Sequence, residues 1–204
     1  SSDVCSSDLR IFLLWLFVLA VVGQRLQAQS GYFYDSDRVS SNLITQIIQD
    51  RAGQIWIASD RGLNKFDGYR FTSYLHNSSN PRSLMSNAVS CLFVDRQGNL
   101  WVGTGDGLMR YEPHSDDFQP YAEPHQPRIS SMVQLPDGRL LVGTAGYGLF
   151  SVDEQNHRLT PVHGYASKAE DHYYSRIFID GQGNFWRGGA NNVFTCRDRS
   201  GRIV

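Results

Sequence analysis

The chain has 204 residues, 41% hydrophobic and 19% charged, which is the composition of a folded soluble domain. Lys plus Arg number 19 against 20 Asp plus Glu, a formal net charge of −1, so there is no basic excess of the kind that marks a nucleic-acid or anionic-lipid surface, and no nucleic acid partner is expected. The 19 glycines beside 10 Tyr, 11 Phe and 4 Trp lean towards an all-β fold, since glycine supplies tight turns and aromatics suit half-buried pleated strands.

At the amino terminus, Ser1 to Leu9 (SSDVCSSDL) lacks a starting Met and carries Asp3 and Asp8 where an export signal carries positive charge, so it reads as a sequence scar. Ile11 to Val22 is an unbroken apolar run. As a helix it would span roughly 18 Å at about 1.5 Å per residue, short of the roughly 30 Å hydrocarbon core. Residues 1–29 are therefore expected to form a signal peptide, cut after Ala28, with an uncleaved anchor as the alternative. Cys5 precedes that run, which excludes it as a lipoprotein attachment site. Cys91 and Cys196 stand at non-equivalent points of the repeats described next, so they are expected to be small buried residues and not a disulfide. Tyr32-Phe33-Tyr34 reads as a short extra strand ahead of the repeats.

Four glycines, Gly53, Gly98, Gly138 and Gly183, stand 45, 40 and 45 residues apart in matching surroundings. The segments are DRAGQIWIAS from Asp50, DRQGNLWVGT from Asp95, LPDGRLLVGT from Leu135 and DGQGNFWRGG from Asp180. A period of about 40–50 residues signals a solenoid or a propeller. In the first unit, Leu43 to Gln49 alternates roughly apolar and polar, and Asp50 to Gly53 then supplies a tight turn. Gln54 to Ser59 is a second strand with Trp56 and Ala58 on one face. Asp60-Arg61-Gly62 leads into Leu63 to Phe66, and Asp67-Gly68 into Tyr69 to Leu75. Four short antiparallel strands without room for a crossover helix make a propeller blade.

The expected fold is an all-β propeller with four-stranded antiparallel blades, at about 43–75, 88–122, 129–163 and 175–204, an incomplete ring whose last blade has its final strand missing or partial. Each Trp is expected to lie against the neighbouring blade, with the small residue two places on allowing close backbone approach.

The stretches from Asp60 to Phe71 and from Asp95 to Tyr111, with Ser41-Asn42 and Ser86-Asn87 ahead of the first strands, resemble the two-component regulator propeller. The resemblance covers nearly everything from residue 31 to 194. It departs at Leu141, which replaces tryptophan, at Tyr147, an insertion in a turn, and at Arg187, which stands where Ile57, Val102 and Val142 stand in the other units. It implies the periplasmic sensor region of a membrane-anchored hybrid histidine kinase, usually with two seven-bladed propellers, many members of which respond to oligosaccharides and signal to transcription. On that footing about four blades of a seven-bladed ring are present, and the implied partners are an oligosaccharide or other small ligand, the remaining blades, the membrane-linked kinase module and a second copy in a homodimer. A free periplasmic or secreted carbohydrate-binding or carbohydrate-cleaving propeller is the alternative.

No catalytic constellation stands out. The six histidines lie in or beside loops without metal-ligand spacing. Asp116-Asp117 reads as an exposed turn, and Gly103-Thr-Gly-Asp-Gly lacks the Gly-Lys-Ser/Thr ending of a phosphate loop. No catalytic residue, metal or cofactor is expected. Propellers recognise ligands through loops at one end of the ring, where the turns between second and third strands hold Asp60, Arg61, Asp106, Tyr147 and Asn191. Of these, Arg61, Asp106 and Tyr147 are the candidate ligand residues: Arg and Asp to hydrogen-bond sugar hydroxyls, and Tyr147 to stack on a pyranose face.

Overall fold

Each repeat folds into one antiparallel sheet because its strand-forming runs are cut by glycine turns at fixed points. The computed structural model describes residues 39–121, 126–162, 173–189, 194–198 and 202–203, all within the unit Ser36–Val204. The export signal, Tyr32-Phe33-Tyr34, Asn191 and the histidines His125, His163 and His172 lie outside the described residues. The first sheet holds β1 (Ile44–Gln49), β2 (Ile55–Ser59), β3 (Gly62–Phe66) and β4 (Phe71–Tyr74). The second holds β5 (Val89–Val94), β6 (Leu100–Thr104), β7 (Gly107–Glu112) and β8 (Asp117–Tyr121). The third holds β9 (Ile129–Gln134), β10 (Leu140–Thr144), β11 (Leu149–Asp153) and β12 (Arg158–Pro161). The fourth has three strands among the described residues: β13 (Arg176–Ile179), β14 (Phe185–Gly188) and β15 (Phe194–Arg197). Consecutive strands are hydrogen-bonded neighbours in every sheet, and none of the described residues is helical.

The four repeat glycines take φ of +83°, +95°, +95° and +82°, a left-handed conformation that side-chain-bearing residues rarely adopt. In three of the turns the leading Asp accepts backbone N–H groups: Gln54 on Asp50 (2.9 Å), Asn99 on Asp95 (2.8 Å) and Asn184 on Asp180 (2.8 Å). The second oxygen of the same carboxylate accepts the indole N–H of Trp56, Trp101 or Trp186, at 2.8, 2.8 and 2.9 Å. The third repeat has neither member of this pair. Leu135 and Leu141 replace both, and both are buried in one apolar cluster.

The sheets pack face to face in chain order, as propeller blades do. Register places Ile48, Trp56 and Lys65 on one face of the first sheet, and Phe93, Trp101 and Arg110 on the matching face of the second. Trp56 and Trp101 are 0% exposed, each packed in a cluster that draws on the following sheet. The small residue is required by the same approach: a Cβ on Gly103 would lie 2.6 Å from Cys91 Sγ and 2.8 Å from Ile129 of the next sheet. The described residues do not close a ring. On the outer face of the fourth sheet Trp186 is 39% exposed, although its indole is tethered as in the other repeats, and Phe178 and Phe194 are exposed beside it. Cys91 and Cys196 are free and buried, and burial pushes the Cys91 thiol up to about 12.

Candidate functional site

Antiparallel order puts the turns after β2, β6 and β10 at the same end as the connections that enter each sheet. Three backbone bonds record it: Asp60 N to Leu43 O (3.3 Å), Gly105 N to Ala88 O (2.9 Å) and Ala145 N to Arg128 O (3.0 Å). Each turn is fastened by the hydroxyl that ends the second strand. Ser59, Thr104 and Thr144 donate to the carbonyls of Gly62, Gly107 and Gly148. The same hydroxyls accept, at 3.2 Å, the backbone N–H of Arg61, Asp106 and Tyr147. The three residues chosen from the sequence therefore occupy equivalent places on one rim, with exposed side chains on a fixed backbone. Tyr147 sits in the longer turn, since Thr144 closes onto a carbonyl four residues away and not three.

Each of the three belongs to a different blade. Of the three, Asp106 lines a cavity of about 260 Å³ bounded by the connection between the first two blades, with His76, Asn77, Asn80 and Met85, and by Gln126. That connection is ordered from within. Ser83 Oγ accepts Asn77 N–H at 2.8 Å, and Leu84 is 0% exposed in the core shared by the first two blades. Arg82 forms a fork on Asp117 at 2.5 and 2.7 Å and reaches Gln119 at 2.9 Å. Asp117 is held below the usual carboxylate range, first by this bond from Arg82.

A second polar cluster closes the outer part of the first junction. Lys65 Nζ lies 5.5, 5.3 and 5.2 Å from the ring centres of Trp56, Tyr74 and Tyr111. It also forms an ion pair with Asp116 at 2.7 Å. Tyr74 and Tyr111 donate to the same carboxylate oxygen at 2.6 and 2.5 Å. Burial raises the Asp116 pKa, but the bonds from Lys65 and the two tyrosines outweigh it and hold the group below its ordinary value. Burial likewise lowers Lys65, and Asp116 and Tyr111 more than reverse it. Asp116 stands in the expected exposed turn, with φ +54°, and binds back to the first blade, while Asp117, half-buried at the start of β8, binds the connection. The second junction repeats the plan, with Arg110 5.9 Å over Trp101 and paired with Glu112 and Glu154 at 2.8 and 3.3 Å.

Two larger cavities open at the opposite end. One of about 450 Å³ lies between the first two blades beside Lys65, Tyr111 and Arg51. One of about 720 Å³ lies along the innermost strands β5, β9 and β13, with Arg51, Arg96 and Asp180 at its margin. Among the described residues no three His, Cys, Asp or Glu side chains cluster as metal ligands. The sequence reading missed the carboxylate–indole tether and the cations over Trp56 and Trp101. Aligned repeats carry the signal for the first, since Asp is absent in the one repeat that lacks Trp.

Four-stranded antiparallel sheets packed in sequence, with the turns after their second strands on one rim, define a β-propeller domain. Residues 38–61 and 83–106, leading into and through the first strands of the first two blades, match the model of the two-component regulator propeller family. A histidine kinase of Formosa agariphila is 34% identical over 81 residues, which is 38% of this chain and 6% of the kinase. The extracellular domain of a hybrid two component system from B. thetaiotaomicron has the same fold, with a TM-score of 0.65 at 20% identity over 80% of this chain and 25% of that one. Virginiamycin B lyase from Staphylococcus aureus shares it too, with a TM-score of 0.58 at 17% identity over 79% of this chain and 54% of the lyase. The chain thus spans a small part of the kinase and about a quarter of the extracellular domain it matches.

Proposed function

We propose that these blades are the ligand-sensing part of a two-component sensor histidine kinase, exported to the periplasmic side of the inner membrane and detecting oligosaccharides there. The observation that carries this reading is the pair of regulator-propeller repeats, joined to the 34% identity with a histidine kinase. In this reading the residues present bind without catalysing. The kinase module and further blades are their partners in the receptor, a homodimer is the signalling unit, and the residues up to about Ala28 are removed on export. The apolar outer face around Trp186 supports a further blade packed on the fourth. The fold likeness to a lyase motivates the second reading, a free exported propeller that binds or cleaves carbohydrate.

The two separate on incubation of the complete ectodomain with a panel of oligosaccharides and polysaccharides, following heat of binding and new reducing ends or unsaturated products. The sensing reading expects binding to at least one glycan, recovered unaltered. Turnover that survives repurification would replace it with the cleaving propeller, and a panel with no binder would remove carbohydrate sensing altogether.

A further inference from the structure

We propose that the 260 Å³ cavity beside Asp106 is a site for one polyhydroxylated ring, so that the rim reads the terminal sugar of a chain and not its interior. This rests on the carbohydrate-sensing reading above and adds the place, the size class and the mode of recognition. The volume comes first. Pockets for drug-sized ligands run from about 300 to 1,000 Å³, so a space of about 260 Å³ holds a single ring and little more.

The chemistry of the lining narrows the class. The Asp106 carboxylate has no partner among the described residues, and an ionised carboxylate only accepts. Asn77 Oδ1 and Asn80 Oδ1 are occupied by the backbone N–H groups of Ser79 and Arg82, both at 3.0 Å. That fixes each amide and leaves its NH₂ as a donor. His76 Nδ1 lies 2.6 Å from the Leu84 carbonyl, which can only accept, so Nδ1 carries a proton there, and in a neutral imidazole that leaves Nε2 as an acceptor. Acceptors from Asp106 and His76 thus stand with donors from Asn77 and Asn80, and vicinal hydroxyls need both. Among the described residues no Lys or Arg lines the cavity, so the lining favours a neutral ligand over a phosphate or carboxylate. Leu84 and Met85 supply an aliphatic patch for the C–H face of a ring.

The site is also ordered before anything binds. The Arg82–Asp117 fork and the buried Leu84 hold the connection in place, so little conformational entropy remains to be lost on binding. Asp106 is exposed on a turn closed by backbone and Thr104, so its replacement leaves the fold intact.

The test uses the complete ectodomain, a set of methyl glycosides of single sugars, and chains ending in the same sugars, titrated against the unmodified protein, Asp106→Ala and Arg139→Ala. Arg139 lies in the turn between β9 and β10 at the opposite end. The proposal expects a methyl glycoside to bind, its affinity to fall about ten- to a hundred-fold in Asp106→Ala, and Arg139→Ala to match the unmodified protein. Longer chains that bind equally well to Asp106→Ala would overturn this site while leaving carbohydrate sensing standing. A site that takes up calcium ions in place of sugars would overturn the class of ligand. A panel with no binder of any length would overturn both the site and the reading on which it rests.

Discussion

The junction between the first and second blades adds polar fasteners to a shared apolar core, whereas the equivalent positions of the junction between the third and fourth are apolar. At the first, Trp56 is tethered to Asp50, Lys65 stands over three rings and pairs with Asp116, and Arg51 reaches the Arg96 carbonyl of the next turn. At the third, Leu135 and Leu141 join Leu149, Tyr174, Ile177 and Phe185 in an apolar cluster. The residue that follows the leading turn position is Pro136, which has no N–H and no charge, and Ser151 pairs across from Leu141 where Lys65 pairs across from Trp56. The cation has changed sides instead. Arg187, 3% exposed, belongs to the later blade, lies 5.0 Å over the Tyr174 ring and donates to Thr195 at 2.8 Å. Blade packing therefore asks for a filled volume and satisfied polar atoms, and two different residue sets meet that demand. A carboxylate and an indole are useful together and costly apart.

That reciprocity can be broken deliberately. The largest effect is expected from Leu135→Asp, which puts an unpaired carboxylate into a site 8% exposed and should destabilise the complete domain by about 3 kcal/mol or more. Adding Leu141→Trp supplies the indole donor and should recover at least about 1 kcal/mol as coupling, despite the cost of a larger side chain. The mirror experiment is Asp95→Leu, which leaves the buried Trp101 N–H without its acceptor and should cost about 2–3 kcal/mol. Chemical denaturation of the unmodified protein, Leu135→Asp, Leu141→Trp and the double variant gives the cycle, with Asp95→Leu measured beside them. Additive effects of the first pair would show that tether and volume are independent.

A smaller effect is expected at the cation. Lys65→Met removes an ion pair whose carboxylate is 53% exposed, so the loss should be about 1 kcal/mol near neutrality. The pH dependence gives it a signature. Asp116 titrates below its ordinary 3.8 in the folded protein, so the contribution is complete above that value and fades as pH falls through the lower folded one. Lys65 titrates above 10.5, so on the alkaline side the pair persists until pH rises past that value. The gap between the unmodified protein and Lys65→Met should therefore be flat in between and shrink in acid. A gap that stays constant down to pH 2 would show that packing of the Lys65 stem, and not its charge, is what the junction uses.

Much of the fold was legible in the residues because a propeller repeats its turn chemistry. Gly53, Gly98, Gly138 and Gly183 announce left-handed turns, and the Trp and small residue that follow them announce a face against the next blade. Arg61, Asp106 and Tyr147 were legible as one rim for the same reason. The cavity beside Asp106 was not. It is formed by a connection with no strand period, held by Arg82 finding Asp117 thirty-five residues later, and such a pairing has no local signal. Nor did the sequence reveal that Asp116 folds back on Lys65, because that depends on a left-handed Asp and on two tyrosines from different blades. Arg187, a departure from the repeat pattern, makes physical sense once Tyr174 is seen beneath it.

The proposed sensing role is tested most directly by signalling in the full-length protein. Reconstituted in membrane vesicles, it should change its rate of autophosphorylation when a glycan that binds the ectodomain is added on the propeller side, and Asp106→Ala should move the response to about ten- to a hundred-fold higher glycan. A receptor that binds that glycan tightly while its phosphorylation stays the same across the whole titration would contradict the sensing role.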